Sequence, residues 1–466
     1  MQVRRIPVAC VQAQAADRND FETAWPRTLA LVDDAAHRGA HLIVLPEGTV
    51  PAYFLGEQAV DPALLASAER ALAGIARASG ATIVYGGARI SGGRTYNGAN
   101  VIGPDGRDLG FASKHFLWHF DRRWFTAGEM LQPLATPVGV LGLLVCADGR
   151  IPTIASLLVE RGAELLVMPT AWVTSGRDPS ALENIQADLM INVRARENGV
   201  PFVAANKCGV ELESVAYCGK SAVVAADGTF VTRAGEREET VIFGEVEVGK
   251  PPRVHTAAFA VDGETRRSLR SPIELLRAPQ RVRIAFTSER ESDRIDRLSE
   301  LARLADAEIL VAPTAPRHAQ PSPALLSTEA IEPDGAQAIR AHGLTIGLIG
   351  ETVLQNPAGL VSARLDGIDC YAVVVAEAND HATVALTRTR ATELRSYVIV
   401  LDRQGERAFA VDPDGVVVAG TFGDYRLAAF TYDRARSNAT MVAPHSDVIA
   451  ELRRVESTRG RDPVAR

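Results

Sequence analysis

Gly139-Val-Leu-Gly-Leu-Leu-Val-Cys146-Ala-Asp-Gly-Arg-Ile-Pro152-Thr-Ile-Ala-Ser-Leu-Leu-Val-Glu-Arg161 is the stretch on which the fold turns. Its first seven residues form a short apolar run of the kind that fills a buried strand. The polar break Ala-Asp-Gly-Arg follows, and Pro152 then opens a helix predicted over 152–161. Leu165–Pro169 is apolar again, so the segment reads strand, helix, strand. Buried strands alternating with helices imply an α/β layered domain.

The same alternation extends in both directions. Val8–Gln12 reads as a strand, Phe21–Arg38 as a helix with apolar residues every three or four positions, and His41–Leu45 as a strand. Pro62–Ser79 reads as a helix with Asp61 as its cap. From Ala81 the pattern is strand-rich: Thr82–Arg89, Ala99–Gly103, a Pro-Asp-Gly turn at 104–106, then Asp108–Ser113. Helix Ala187–Asn198, strand Pro201–Asn206, a hairpin turning at Asp227-Gly228 and strand Val241–Glu247 complete the unit.

Residues 248–280, rich in Pro, Arg and Gly, read as a connection, after which the pattern restarts. Arg281–Ser288 resembles Arg5–Gln12, and Glu308–Ala315 resembles His41–Gly48. Gly343–Thr352 resembles the strand that ends in Cys146, and Gly367 lies as far beyond Gly347 as Gly162 lies beyond Gly142. Arg390-Ala-Thr-Glu393 parallels Arg194-Ala-Arg-Glu197, and Asp414-Gly415 parallels Asp227-Gly228. These anchors, in one order, point to an internal duplication. The second copy loses the chemistry: Thr314 stands at the place of Glu47 and Glu351 at that of Cys146, and the stretch between them is about 60 residues shorter. The expected division is a first domain 1–270, a linker 271–280, a degenerate copy 281–450 and a tail 451–466.

A chain of 466 residues with 47% apolar content and a net charge of −7 suits a soluble two-domain protein. The acidic balance argues against nucleic acid or an anionic membrane as partner. No apolar run approaches the ~20 residues needed to span a bilayer, and the first residues lack the apolar core of a signal peptide. Five scattered cysteines (10, 146, 208, 218, 370) fit free thiols in a reducing cytoplasm. Cys208 and Cys218 lack metal-ligand spacing, so neither metal nor other cofactor is expected.

Glu47, Lys114 and Cys146 each sit just past an apolar run. A carboxylate, an ammonium and a thiol are the base, oxyanion stabiliser and nucleophile of a thiol-dependent attack on an amide or nitrile. Cys146 at a strand-to-helix elbow would feel a helix N-terminus, which favours thiolate. Each residue has a plainer reading: a core cysteine, a loop carboxylate, a solvated lysine. The backbone N–H of Ala147 is the natural second donor to an oxyanion.

The first domain resembles the nitrilase superfamily of carbon–nitrogen hydrolases. The blocks that carry the resemblance are Leu-Pro-Glu-Gly (45–48) with Tyr53 as pocket aromatic, Thr-Tyr-Asn (95–97), Gly-Pro-Asp-Gly (103–106) and Ser-Lys-His (113–115). They continue with Arg-Arg-Trp-Phe-Thr-Ala-Gly (122–128), Cys-Ala-Asp-Gly-Arg-Ile-Pro (146–152), Met-Pro-Thr-Ala-Trp (168–172), Arg-Glu-Asn-Gly-Val (196–200) and Ala-Ala-Asn (204–206). The resemblance implies a four-layer α-β-β-α sandwich and a Glu47–Lys114–Cys146 triad, here in tandem with a shortened, degenerate copy. It also implies that Asp121 stands where amidase members carry a second glutamate, supporting Lys114; pairing with Arg122 or Arg123 is the alternative.

The sequence after Cys146 keeps Asp148 and Arg150 but lacks the early Glu of true nitrilases, so the amidase and carbamoylase branches are nearer. Arg150 either binds a substrate carboxylate or pairs with Asp148, and Trp172 either walls the pocket or packs in the core. Glu197, kept as Glu393 in the copy without chemistry, serves the fold. The expected enzyme hydrolyses a small amide or N-carbamoyl compound with water through a thioester. Nitrile hydrolysis, acyl transfer and a non-catalytic scaffold are the alternatives. Pairing of the two copies within one chain is expected, with further homo-oligomerisation open.

Overall fold

The computed structural model describes residues 3–176, 180–256, 259, 261, 278–318 and 322–459. Residues 262–277, covering the end of the expected first domain and most of the linker, lie outside them. So do 177–179, within the loop 173–186, and 460–466 of the expected tail. The chain divides into two compact units, one of Met1–Val254 with Ala443–Ser446 and Val455–Arg466, the other of His255–Val442 with Asp447–Arg454. The break thus falls ahead of residue 270, and a helix, Val448–Glu456, runs into the stretch expected as tail. Among the described residues no helix is long and apolar enough to cross a membrane.

In the first unit, strands β1 (Arg4–Gln12), β2 (Leu42–Val44), β3 (Thr82–Ser91), β4 (Arg94–Ile102) and β5 (Asp108–Ser113) share a six-stranded sheet with β14 (Thr240–Val248). Its order is β14-β1-β2-β3-β4-β5. The second sheet holds β6 (Leu134–Thr136), β7 (Gly139–Leu143), β8 (Leu165–Pro169), β9 (Phe202–Ala205), β12 (Ala222–Val224) and β13 (Phe230–Arg233) in the order β13-β12-β9-β8-β7-β6. A separate two-stranded hairpin, β10 (Val210–Glu211) and β11 (Val215–Ala216), lies between β9 and β12.

Strand periodicity explains the layering, because successive side chains point to opposite faces. Ala9, Val11, Ile43 and Ile83 face helices α1 (Phe21–His37) and α2 (Pro62–Ser79), where they meet Val32, Ala35, Leu72 and Ala76. Each large apolar side chain buried there contributes about 1.5–3 kcal/mol. Cys10 points the other way, and its thiol donates to the Ala222 carbonyl on the second sheet. Helices α3 (Pro152–Glu160) and α4 (Ile191–Asn198) cover that sheet's outer face. The result is the expected α-β-β-α sandwich. Helix α2 has the expected bounds; Asp61 Oδ1 accepts from Ala63 N–H at 2.8 Å, and Gly80 closes the helix at φ 75°.

The second unit repeats this order of elements. Strands β15 (Arg281–Phe286), β16 (Ile309–Ala312) and β17 (Ala324–Ser327) join β24 (Ala428–Asp433) in the order β17-β16-β15-β24. Strands β18 (Ala336–Ala341), β19 (Leu344–Gly350), β20 (Cys370–Val375), β21 (Tyr397–Asp402), β22 (Ala408–Val411) and β23 (Val417–Gly420) form the other sheet, in chain order. The two sheets bury a common core that includes Ile284, Phe286, Ile346, Leu348, Ile399 and Phe430. Helix α5 (Ser292–Leu304) packs on the first sheet through Ala302. Helices α6 (Glu351–Gln355), α7 (Pro357–Asp366) and α8 (His381–Leu394) accompany the second.

Read as β14/β24, β1/β15, β2/β16 and β3/β17, the first sheets match strand for strand until β4 and β5, which have no counterpart among the described residues. The second sheets match completely. Gly142 pairs with Leu166 across β7 and β8, and Gly347 with Tyr371 across β19 and β20, an offset of the same length. A bulge falls at Val223/Val224 in one and at Ala410/Val411 in the other.

A buried ion pair repeats as well. Arg194 Nη1 holds Glu197 at 2.7 Å and Arg390 Nη1 holds Glu393 at 2.5 Å. Arg194 Nε donates to the Gly149 carbonyl, three residues past Cys146. Arg390 Nε donates to that of Leu354, three past Glu351. The glutamate expected to serve the fold is therefore buried beside its arginine in both units.

Candidate active site

Glu47 stands three residues beyond β2, fully buried. The chain there presses against β3 so closely that a Cβ on Gly86 would lie 2.4 Å from Glu47 Cα; only glycine fits. Glu47 N–H donates to the Thr170 carbonyl at 3.2 Å, which ties the base to the end of β8. Lys114 follows β5, and its N–H donates to the Asn97 carbonyl on β4 at 2.8 Å. Its side chain has no exposed surface.

Lys114 Nζ lies 2.7 Å from Glu47 Oε1 and 2.6 Å from Asp121 Oδ2. Burial alone would lower its pKa, but the charges of Asp121 and Glu47 outweigh it and hold the ammonium well above the ordinary lysine range. Removing one partner from such a buried group costs about 3–5 kcal/mol. Asn97 Nδ2 donates to the same Glu47 Oε1 at 2.7 Å. The second oxygen of each carboxylate, Glu47 Oε2 and Asp121 Oδ1, is buried and accepts no hydrogen bond from the described residues. Asp121 is anchored by its turn: its Oδ2 accepts from Trp118 N–H at 2.9 Å.

Cys146 is the first residue of a tight 3-10 turn, Cys146–Arg150, and takes the left-handed conformation at φ 46°. Such a conformation costs a non-glycine residue about 1–2 kcal/mol and turns the thiol out of the strand line. The sulfur was expected to favour thiolate at a helix N-terminus, and here the expectation fails. The true α-helix begins only at Pro152. Burial and the Glu47 charge push the thiol up to about 12, against the pull of Lys114, the Thr170 hydroxyl and the Ala171 backbone. The group is held as a thiol, with the Glu47 charge acting on it. Ala147 follows it in the turn, buried.

Asp148 knits the pieces together. Its Oδ1 accepts from His115 and Phe116 N–H at 3.0 and 2.7 Å, and its Oδ2 from Val145 N–H at 3.0 Å. One carboxylate thus spans the chain after Lys114 and the chain before Cys146. Arg150 is half-buried, its guanidinium 4.9 Å from the Trp118 ring centroid. The Tyr53 ring faces Lys114 Nζ at 5.7 Å. Trp172 is 1% exposed; its backbone is held by Asn206 Oδ1 at 2.7 Å, and its indole N–H is buried without an acceptor.

The structure therefore brings Glu47, Lys114, Asp121, Cys146 and Tyr53 together. Asn97 and Thr170 belong with them and were not singled out as site residues from the sequence. A signal for Asn97 existed, since it is an amide in the apolar stretch of β4 and belongs to a motif block. Among the described residues no group of three or more His, Cys, Asp or Glu is placed to hold a metal ion.

The carbon-nitrogen hydrolase family profile matches residues 7–250. The chain is 36% identical over 215 residues to a protein of Pseudomonas protegens described as "Hydrolase in pqqF 5'region", covering 45% of this chain and 72% of that one. It is 29% identical over 241 residues to the Omega-amidase NIT2 of Mus musculus, covering 48% and 83%. The crystal structure of an amidase from Nesterenkonia sp. matches with 27% identity and a TM-score of 0.44, over 52% of this chain and 89% of that one. With that profile spanning half its length, the chain belongs to the carbon–nitrogen hydrolase family, within the nitrilase superfamily.

Proposed function

We propose that the chain hydrolyses the C–N bond of a small carboxamide or N-carbamoyl compound through a thioester on Cys146. The observation that carries this reading is Lys114, an ammonium without exposed surface held between Glu47 Oε1 and Asp121 Oδ2 and near enough to Cys146 to act on its ionisation. A buried cation between two carboxylates is costly to fold and is retained where developing negative charge must be met.

Glu47 Oε2, the oxygen free of protein hydrogen bonds, takes the thiol proton as sulfur attacks the carbonyl carbon. The C–S bond forms and the carbonyl electron pair moves to oxygen, where Lys114 Nζ and the Ala147 N–H donate to it; each such donor contributes about 10²–10³ in rate. The C–N bond then breaks, and nitrogen leaves with the proton held by Glu47. Glu47 next takes a proton from water, whose oxygen attacks the thioester and releases the acid and the thiol. Asp121 Oδ1 receives an N–H of the substrate amide. Tyr53 covers the acyl part, Trp172 backs it, and Arg150 meets a substrate carboxylate.

Ammonia release tests the reading, with wild type and Cys146→Ala compared on ω-amides, N-carbamoyl amino acids, plain aliphatic amides and nitriles. Release that falls by at least about 10⁴ in the variant is expected, with amides or carbamoyl compounds preferred over nitriles. Release that survives in Cys146→Ala, or silence across the panel with no acyl-enzyme in mass spectra, overturns it.

A further inference from the structure

The first unit holds a second buried ionic cluster that the proposed reaction does not use. Lys207, Glu211 and Tyr217 are all buried. Glu211 Oε2 accepts from Lys207 Nζ at 3.0 Å and from the Tyr217 hydroxyl at 2.7 Å. Glu211 Oε1 accepts from the backbone N–H of Phe54 at 3.2 Å. A buried ion pair contributes little net stability, since desolvation offsets its attraction, so its presence calls for another reason.

The cluster touches the walls of the site at two places. Tyr217 packs in one apolar group with Tyr53 and Ala171, against which Phe54 and Val173 rest. Tyr53 is the ring that faces Lys114. The same segment hydrogen-bonds along the chain after β8: Cys218 N–H donates to the Trp172 carbonyl at 2.9 Å, and Thr174 N–H to that of Ala216 at 3.0 Å. Glu211 and Tyr217 thus brace the aromatic residues on both sides.

The second unit provides a comparison within the molecule. Between β9 and β12 the first unit spends residues 206–221 and builds the β10–β11 hairpin. The equivalent strands β21 and β22 are joined by 403–407 alone. Two paired-strand elements of the first unit lack counterparts among the described residues of the second: the hairpin that leads to Lys114 and the one that carries Glu211. Where the triad is absent, the brace is absent too.

We propose that Glu211 is a positioning residue that fixes Tyr53 and Phe54. Through them it sets the width of the pocket beside Lys114, so it governs how well the acyl part of the substrate binds and leaves the attack by the thiol alone. The proposal rests on the hydrolase reading above.

Two double variants test it, each removing both charges so that neither is left buried and unpaired. Glu211→Gln with Lys207→Met keeps an acceptor for Phe54 N–H; Glu211→Leu with Lys207→Met deletes it. The first is expected within about threefold of the wild-type KM. The second is expected to raise KM about tenfold with kcat within about threefold. Tyr217→Phe, which keeps both charges, is the milder member and raises KM about threefold; it decides the matter if the leucine double does not fold. Equal KM values in the two doubles, or a loss confined to kcat, overturn the proposal. If wild type turns over no amide, the hydrolase reading fails by itself. The doubles are then compared by alkylation of Cys146 with iodoacetamide and with N-phenyl-iodoacetamide, read by mass spectrometry. A shifted ratio of the two rates in the leucine double supports the role of Glu211, and an unchanged ratio overturns it.

Discussion

Glu47 Oε1 carries two donors at 2.7 Å, Lys114 Nζ and Asn97 Nδ2, while Oε2 accepts none from the described residues. On the proposed mechanism Asn97 therefore fixes which lone pair of Glu47 is left to take a proton. Asn97→Ala is expected to lower kcat by about ten- to a hundredfold through a loosened Glu47, with KM little changed. Asn97→Asp, which sets a third carboxylate in the group, is expected to lower it further. Steady-state kinetics beside thermal melts of the same samples check both, and unchanged kcat in Asn97→Ala would refute the assignment. At this scale the sequence pointed to Glu47, Lys114 and Cys146 because each follows an apolar run, and to Asp121 only through the family resemblance, by its place just before the block 122–128. It marked Asn97 only as a member of a motif block and gave Thr170 no role, because their side chains matter only once separate strands lie side by side. The ionisation of Cys146 was misread because burial and the neighbouring Glu47 charge, neither visible from the elbow alone, outweigh every group that favours thiolate.

The Arg–Glu pair on the helix after β8, and again on α8 after β20, joins the turn that follows Cys146 in one unit, and that which follows Glu351 in the other, to the helix behind it. In the first unit this link supports Cys146; in the second it supports Glu351, whose Oε2 accepts from Ala376 N–H at 2.8 Å. Arg390→Met removes the buried ion pair to Glu393 and the donors to Leu354 and Gln355. It is expected to destabilise the chain by about 3–5 kcal/mol, with Arg390→Met, Glu393→Leu recovering part of the loss. Urea titration reads the change, and an unaltered midpoint in the single variant would contradict it. Periodicity gave most elements of the first unit within a residue or two, among them α2, β5 and β8. The β10–β11 hairpin escaped, since two-residue strands carry no period. So did the π-type turn Gln186–Met190, which runs without a break into α4 and so shares its helical pattern.

Taken whole, the molecule keeps its cysteines from water. Cys10, Cys146, Cys218 and Cys370 are buried free thiols, and burial raises each: Cys146 and Cys218 to about 12, Cys10 and Cys370 beyond. An unfolded chain gives up these protons near pH ~8.5. Above that point the unfolded state binds fewer protons than the folded one, so stability falls as pH rises. The loss is about 1.4 kcal/mol per thiol per pH unit until the folded pKa is reached. Urea midpoints are expected to be level from about pH 7 to 8 and to drop steeply between about 9 and 10.5; a level profile through pH 10.5 would contradict the burial of these groups. The repeat of the two units was legible as an ordered set of anchors, whereas their shared strand order depends on pairings between distant segments.

That the described residues of the second unit lack a β4–β5 hairpin also bears on whether a triad could be built there. Thr314→Glu and Glu351→Cys would reinstate a carboxylate and a thiol at the two strand ends of the second unit, each by a single substitution. The cation has no such route. Lys114 stands at the end of a strand pair whose edge strand, β5, lies two steps beyond the position matched by the last strand of the shortened sheet, β17. Exchanging one side chain for another never lengthens a sheet. In this half of the molecule the way back to a working centre requires an insertion of two strands, and point mutation alone cannot traverse it.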